Sequence, residues 1–210
     1  MNNTELIEKL RKTPVIPVLD PKSESEVIAA VEALVMGGAG VIEITLRSEI
    51  AFRVFPQLRE QFPNIVIGAG SVMDEQTYDK AVELGADFTI SPGRCIQLEQ
   101  YTKDKGVAHI PGCVTPTEII AARQAGQKLI KFYPSEASGG AATLKDLGRI
   151  FPDVFMMPSG GIKKSMLKSY AAVPTVVSVG GSWMYAENGQ YLDKESMIQA
   201  MSDSIEAMLG

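Results

Sequence analysis

Short β-branched runs alternate along the chain with longer stretches whose apolar residues recur at helical spacing. Eight runs read as strands: 14–19 (PVIPVL), 41–46 (VIEITL), 65–69 (IVIGA), 87–90 (DFTI), 107–110 (VAHI), 129–133 (LIKFY), 154–158 (VFMMP) and 175–179 (TVVSV). Between and after them the spacing predicts helices over 23–36, 48–62, 74–84, 97–105, 115–125, 144–151, 164–172 and 196–209, with an extra helix over 4–12 ahead of the first strand. End signals agree with these bounds. Ser23 precedes Glu26 by three residues, the spacing of a capping box. Gly37-Gly38, Gly85, Gly106 and Gly126 follow the last helical positions of their segments. Thr115-Pro116-Thr117-Glu118 supplies a cap, a first-turn proline and an acid.

Alternating strand and helix signals predict an α/β chain with a parallel sheet covered by helices. Eight such units can close into a (β/α)8 TIM barrel, here with an extra N-terminal helix. No linker or low-complexity segment interrupts the pattern, so residues 1–210 are expected to form one domain. The competing fold is an open doubly wound sheet, which would want a glycine-rich phosphate loop after an early strand. The nearest segment, Gly68-Ala69-Gly70-Ser71-Val72-Met73, carries Met73 where the third glycine should stand. The barrel is therefore the expected fold.

Composition narrows the chemistry. The 210 residues are 45% hydrophobic and 21% charged, which excludes a disordered chain. Net charge is −5 and no run of four Lys/Arg occurs, which argues against a nucleic-acid partner. No apolar stretch approaches the roughly 18 residues of a membrane helix. The polar start, MNNTELIEKLRKT, has no apolar signal core, so a cytoplasmic protein is expected. With two cysteines (Cys95, Cys113) and one histidine (His109), a Cys/His metal site is not expected. Catalysis would have to rest on Lys, Glu, Asp, Arg, Ser and Tyr.

Strand alternation then singles out two charges. In 41–47, Ile42, Ile44 and Leu46 share the face that packs under helices, so Glu43 points inward and Arg47 stands at the C-terminal mouth. In 129–133, Ile130 and Phe132 take the outer face and Lys131 points inward. The second and sixth strands of a barrel face one another, which aims a carboxylate and an amine at one interior. A buried structural ion pair is one reading, though such pairs are often only neutral for stability. The other is chemical. A poorly solvated amine attacks a ketone to form a Schiff base, whose iminium is an electron sink for cleavage of an adjacent carbon–carbon bond without metal. Glu43 could move the proton and Arg47 could clamp a carboxylate. Ser159-Gly160-Gly161 and Gly180-Gly181-Ser182 follow the last two predicted strands, where barrels often bind phosphate, although both could be ordinary glycine turns. Ser71, Pro92 and Cys113 lie in turns at the same mouth, His109 reads as a satisfied core histidine, and Trp183 as a gap filler.

These segments, PVIPVL, GVIEITLRS, GAGSV, TISPG, IPGCVTPTE, IKFYPSE, PSGGI and VGGSWM, occur in an order and spacing that resembles the bacterial KDPG/KHG aldolases over essentially the whole chain. The resemblance implies a (β/α)8 barrel and a homotrimer. It also implies a metal-independent class I aldolase, without cofactor, that cleaves 2-keto-3-deoxy-6-phosphogluconate to pyruvate and glyceraldehyde 3-phosphate, with 4-hydroxy-2-oxoglutarate as a second substrate. By resemblance Lys131 forms the Schiff base and Glu43 is the general acid/base. Arg47 and Ser71 hold the pyruvyl carboxylate, and Pro92 lines the pyruvate end. Gly160, Gly161, Gly181 and Ser182 cradle phosphate. The family commonly has threonine at the positions of Ser71 and Ser159, the latter linked to stereoselectivity, and phenylalanine at that of Tyr133. An aldolase for the C4-epimeric phosphogalactonate is thus an alternative substrate reading. A phosphate-binding isomerase or synthase using Glu43 alone, and a non-catalytic sugar-phosphate binder, are the rivals of other kinds.

Overall fold

The computed structural model describes residues 1–210. Its elements in chain order are α1 (Asn3–Lys12), β1 (Val15–Leu19), α2 (Glu24–Met36), β2 (Val41–Thr45), α3 (Glu49–Gln61), β3 (Val66–Gly70), α4 (Glu75–Glu83), β4 (Phe88–Ile90), α5 (Ile96–Thr102), β5 (Ala108–Ile110), α6 (Pro116–Gln124), β6 (Leu129–Phe132), α7 (Gly140–Ile150), β7 (Phe155–Pro158), α8 (Leu167–Ala171), β8 (Val179–Gly181), β9 (Ala186–Glu187), β10 (Gln190–Tyr191) and α9 (Lys194–Leu209). Side-chain caps at Ser23, Ser48, Asp74, Thr115 and Asp193 fix the helix starts, each accepting from the backbone N–H three residues on. Gly38 ends α2 at φ 100°, and the next amide, of Ala39, returns to the Leu34 carbonyl.

The strands do not close into the expected eight-stranded barrel sheet. Ladders make a six-stranded parallel sheet of order β5-β4-β3-β2-β1-β8 and a separate parallel pair, β6-β7. Single bridges, Gly112–Lys131 on one side and Met156–Val176 and Ser159–Gly180 on the other, are all that span the two seams. Prolines account for the breaks. Pro111 follows β5 and Pro158 ends β7, and neither has an N–H to carry a ladder onward. The order runs from β1 to β5 without reversal, so the doubly wound alternative is not observed either.

Strand alternation still sorts the side chains, because it needs only parallel strands with one covered face. Ile42, Ile44, Ile130 and Phe132 belong to a 42-residue apolar cluster between the strands and the helices. A second cluster of 12 lies on the opposite face. There Val41, Val66, Phe88, Ile110, Leu129 and Met157 pack against Leu6, Ile7 and Leu10 of α1. Burying each such leucine or isoleucine stabilises the fold by about 1.5–3 kcal/mol, so α1 is an integral part of the core. The eighth predicted strand is shifted. Pro174 precedes it, a turn in which the Val176 amide donates to the Val173 carbonyl occupies its predicted start, and the ladder with β1 begins only at Val179. The strand pattern does not predict the β9–β10 hairpin, although Asn188-Gly189 at φ 51° and 79° is the turn that such a hairpin demands.

Candidate active site

Glu43 sits mid-strand in β2 and Lys131 mid-strand in β6, and the curl of the sheet brings them together. The Lys131 ammonium donates to Glu43 Oε1 at 3.0 Å and lies 3.4 Å from Oε2. Both are buried, at 1% exposure for Glu43 and 7% for Lys131. Neither side chain has another hydrogen-bond partner in the chain, so the pair is mutually satisfied and has capacity to spare.

Three glycines make room for it. A Cβ on Gly70 would stand 2.2 Å from Glu43 Oε1, and one on Gly68 would stand 2.2 Å from the Phe88 ring. The spacing of two in Gly68-Ala69-Gly70 is thus a strand periodicity: both glycines empty the inward face of β3, where the sequence suggested a damaged phosphate fingerprint. A Cβ on Gly112 would meet the Pro92 carbonyl oxygen at 2.2 Å, and Gly112 also bridges Lys131. Pro92 is therefore seated one strand from the amine. The Tyr133 ring lies 5.5 Å from Lys131 Nζ and is 40% exposed, forming a wall of the mouth.

The remaining predicted residues gather at the C-terminal ends of the strands, though not all against the pair. Arg47 is exposed and its contact is Asp20, at 3.2 Å; Asp20 is held in turn by the Thr45 hydroxyl at 3.0 Å. Ser71 follows β3 at φ 63°, a left-handed conformation rare for a residue with a side chain. The hydroxyls of Ser71, Ser159 and Ser182 make no hydrogen bond within the chain. Nor do the backbone amides of Gly160, Gly161 and Ser182. Gly160 and Gly161 adopt φ 98° and 78°, and Gly160 lies against the Tyr133 ring. Gly181 is needed by a neighbour, because a Cβ there would overlap the Trp183 ring at 1.8 Å. The indole of Trp183 donates to Ser204 at 3.0 Å, so it anchors α9.

His109 lies away from the pair, between the hydroxyls of Thr89 (2.9 Å) and Ser91 (3.2 Å). It borders a separate cavity of about 670 Å³ shared with Asn3, Arg94 and Gln127, which includes none of the predicted site residues. Burial lowers the His109 pKa from 6.5 to about 4 and pushes the Cys113 thiol up to about 12, so neither offers an ionised group at neutral pH. With the folded value below the unfolded one, the histidine's contribution is full above pH 6.5 and is lost as pH falls toward 4. Acidification from pH 7 to 5 should cost about 2 kcal/mol through this group. Urea unfolding of the parent and of His109→Gln at both values checks it: the variant should lose that part of the slope.

Among residues to which the sequence assigns no specific role, Gly112, read only as part of the turn after the fifth strand, Glu136 and Tyr170 shape the site. The inward position of Lys131 could have pointed to Gly112, its neighbour across the seam. Nothing local points to Tyr170, which reaches the site from α8.

A family model described as KDPG and KHG aldolase matches residues 6–200. The chain is 37% identical over 174 residues to 2-dehydro-3-deoxy-phosphogluconate aldolase of Pseudomonas aeruginosa, covering 83% of this chain and 79% of that one. It superposes with a TM-score of 0.89 on 2-keto-3-deoxy-6-phosphogluconate aldolase of Zymomonas mobilis ZM4 solved with 3-phosphoglycerate, at 30% identity and 97% and 95% coverage. A KDPG aldolase of Legionella pneumophila, with pyruvate captured as a covalent carbinolamine, matches with a TM-score of 0.83 and 32% identity over 97% and 96% of the two chains.

Proposed function

This chain belongs to the KDPG and KHG aldolase family, and on that premise we propose that it cleaves 2-keto-3-deoxy-6-phosphogluconate through a Schiff base on Lys131. The observation that carries this reading is the Lys131 amine, buried 3.0 Å from the Glu43 carboxylate. The amine adds to the C2 carbonyl, and loss of water gives the iminium. Glu43, acting through a water, accepts the C4 hydroxyl proton as C3–C4 breaks. The bonding pair passes into the iminium to give an enamine, and glyceraldehyde 3-phosphate leaves. Protonation at C3 and hydrolysis then release pyruvate and regenerate the amine. The same steps on 4-hydroxy-2-oxoglutarate give pyruvate and glyoxylate.

Arg47 and Ser71 take the pyruvyl carboxylate, with Pro92 beside it. The free amides of Gly160, Gly161 and Ser182, together with the Ser182 hydroxyl and the Gly181 turn, suit a phosphate, a group class seen on the relative solved with 3-phosphoglycerate. Ser159 and Tyr133 line the path between the two ends. Residues 1–210 act as one domain of the cytoplasm. Assembly as a homotrimer is part of this reading. No helix is long and apolar enough to cross a membrane.

Trapping tests the proposal directly. Incubation with pyruvate and sodium borohydride, followed by peptide mass spectrometry, should place a reduced pyruvyl adduct on Lys131. Folded protein that gains no adduct, or gains it on another lysine, contradicts the mechanism.

A further inference from the structure

Beneath Gly160 and Gly161 lies a largely buried polar cluster, with Glu136 half-buried at its edge, for which the mechanism has no use. Tyr170 of α8 is fully buried, and its hydroxyl donates to Glu136 Oε1 while sharing a 2.8 Å hydrogen bond with the Ser135 hydroxyl, itself fully buried. Glu136 begins a short 3-10 turn that starts four residues after the last residue of β6. Its backbone amide donates to the Gly160 carbonyl at 3.1 Å, and the Ser135 amide donates to the Ser159 carbonyl at 2.8 Å. Its side chain lies under Gly161, where an added Cβ would come within 2.9 Å of Glu136 Cβ. A further glycine, Gly140 at φ 58°, leaves space on the other side: a Cβ there would stand 2.8 Å from Glu136 Oε1 and 3.3 Å from the Tyr170 hydroxyl.

Burying two hydroxyls and half-burying a carboxylate is costly unless each is paired, and here the Tyr170 hydroxyl joins the other two. Burial and the neighbouring carboxylate raise the Tyr170 pKa, so the phenol keeps its proton and stays a donor. The Lys131–Glu136 stretch therefore carries the amine at one end and the support of the Ser159–Gly161 loop at the other, with Tyr133 between them against Gly160.

We infer that Glu136 and Tyr170 are positioning residues that hold the Ser159-Gly160-Gly161 loop at a set distance from Lys131, so that the cluster selects substrates carrying a terminal phosphate. The inference rests on the phosphate role proposed above for that loop. Neither residue touches the reacting atoms. Their effect should appear only where a ligand uses the loop and the amine together, so one variant read on two substrates isolates it.

Tyr170→Phe keeps the ring and removes the hydroxyl, leaving Glu136 and Ser135 without their shared partner. We expect it to raise KM for 2-keto-3-deoxy-6-phosphogluconate about ten-fold while kcat changes little. Turnover of 4-hydroxy-2-oxoglutarate, which has no phosphate, and the rate of borohydride trapping with pyruvate should stay within about two-fold of the parent. Glu136→Gln, which retains an acceptor for the phenol, should give a smaller rise on the phosphorylated substrate alone. Equal losses on both substrates, or none on either, would overturn the inference. Inorganic phosphate as a competitive inhibitor separates the two layers. If it inhibits parent and Tyr170→Phe equally, the loop binds phosphate but the cluster does not position it. If it fails to inhibit the parent, the phosphate role of the loop falls, and this inference with it.

Discussion

Lys131→Met is expected to lower kcat/KM for 2-keto-3-deoxy-6-phosphogluconate by on the order of 10⁴-fold or more, because nothing else within reach of Glu43 can form the covalent intermediate. It should also destabilise the protein by about 3–5 kcal/mol, since the Glu43 carboxylate, 1% exposed, loses its counter-charge. A stability loss of that size would obscure the chemistry. The double variant Glu43→Leu/Lys131→Met removes both charges and leaves no polar group unpaired; it should recover parental stability, or exceed it by about 1–4 kcal/mol, while remaining inactive. Urea unfolding and a pyruvate-release assay on the parent and the two variants distinguish a structural ion pair from a catalytic one. A double variant retaining more than about a hundredth of parental turnover would show that Lys131 is not the nucleophile.

Gly70→Ala should also damage activity, by a smaller factor, with little cost to the fold. The added methyl would stand 2.2 Å from Glu43 Oε1, 2.9 Å from Cδ and 3.0 Å from Cγ. All three atoms belong to a side chain that can swing aside, so relief is cheap in stability, about 1–2 kcal/mol. The carboxylate, shifted by about 1 Å, keeps its pairing with the Lys131 amine but no longer meets the hydroxyl whose proton it must take. Misplacement of a general base by about 1 Å costs roughly 10²-fold, and kcat should fall by at least that much. Pyruvate trapping on Lys131 should persist at a reduced rate. Gly112→Ala provides the contrast. Its methyl would meet the backbone carbonyl of Pro92 at 2.2 Å, which cannot rotate away, so the loss there should appear first in unfolding. If Gly70→Ala and Gly112→Ala lose kcat and stability in the same proportion, Gly70 has no special relation to Glu43.

The inward aim of Glu43 and Lys131 was legible because each interrupts an apolar strand at the position that period-two alternation sends away from the helices. That argument holds whether or not the sheet closes. Closure itself was not legible, because it depends on single hydrogen bonds at the seams, where Pro111 and Pro158 withhold donors. The helix starts could be read from caps whose chemistry is local, at Ser23, Asp74 and Thr115. The eighth strand could not, since its β-branched run at 175–179 begins in a turn with a single bridge to β7 and reaches β1 only at Val179. Within the site, the chemical residues could be read from their cost of burial. Gly70 and Gly112 could not, because their necessity depends on which atoms of other strands come near them. Glu136 and Tyr170 are separated by more than thirty residues and meet only in the folded chain.

Helix α1 carries a consequence for synthesis. Its buried face, Leu6, Ile7 and Leu10, packs against residues spread from Ile16 to Val177. A ribosome adding about 5–20 residues per second exposes that face roughly ten to thirty seconds before its last partner emerges. Through that interval the nascent chain presents an amphipathic stripe that nothing of its own can fully cover. This helix is thus made well before its last partners and is among the last elements to be completely buried.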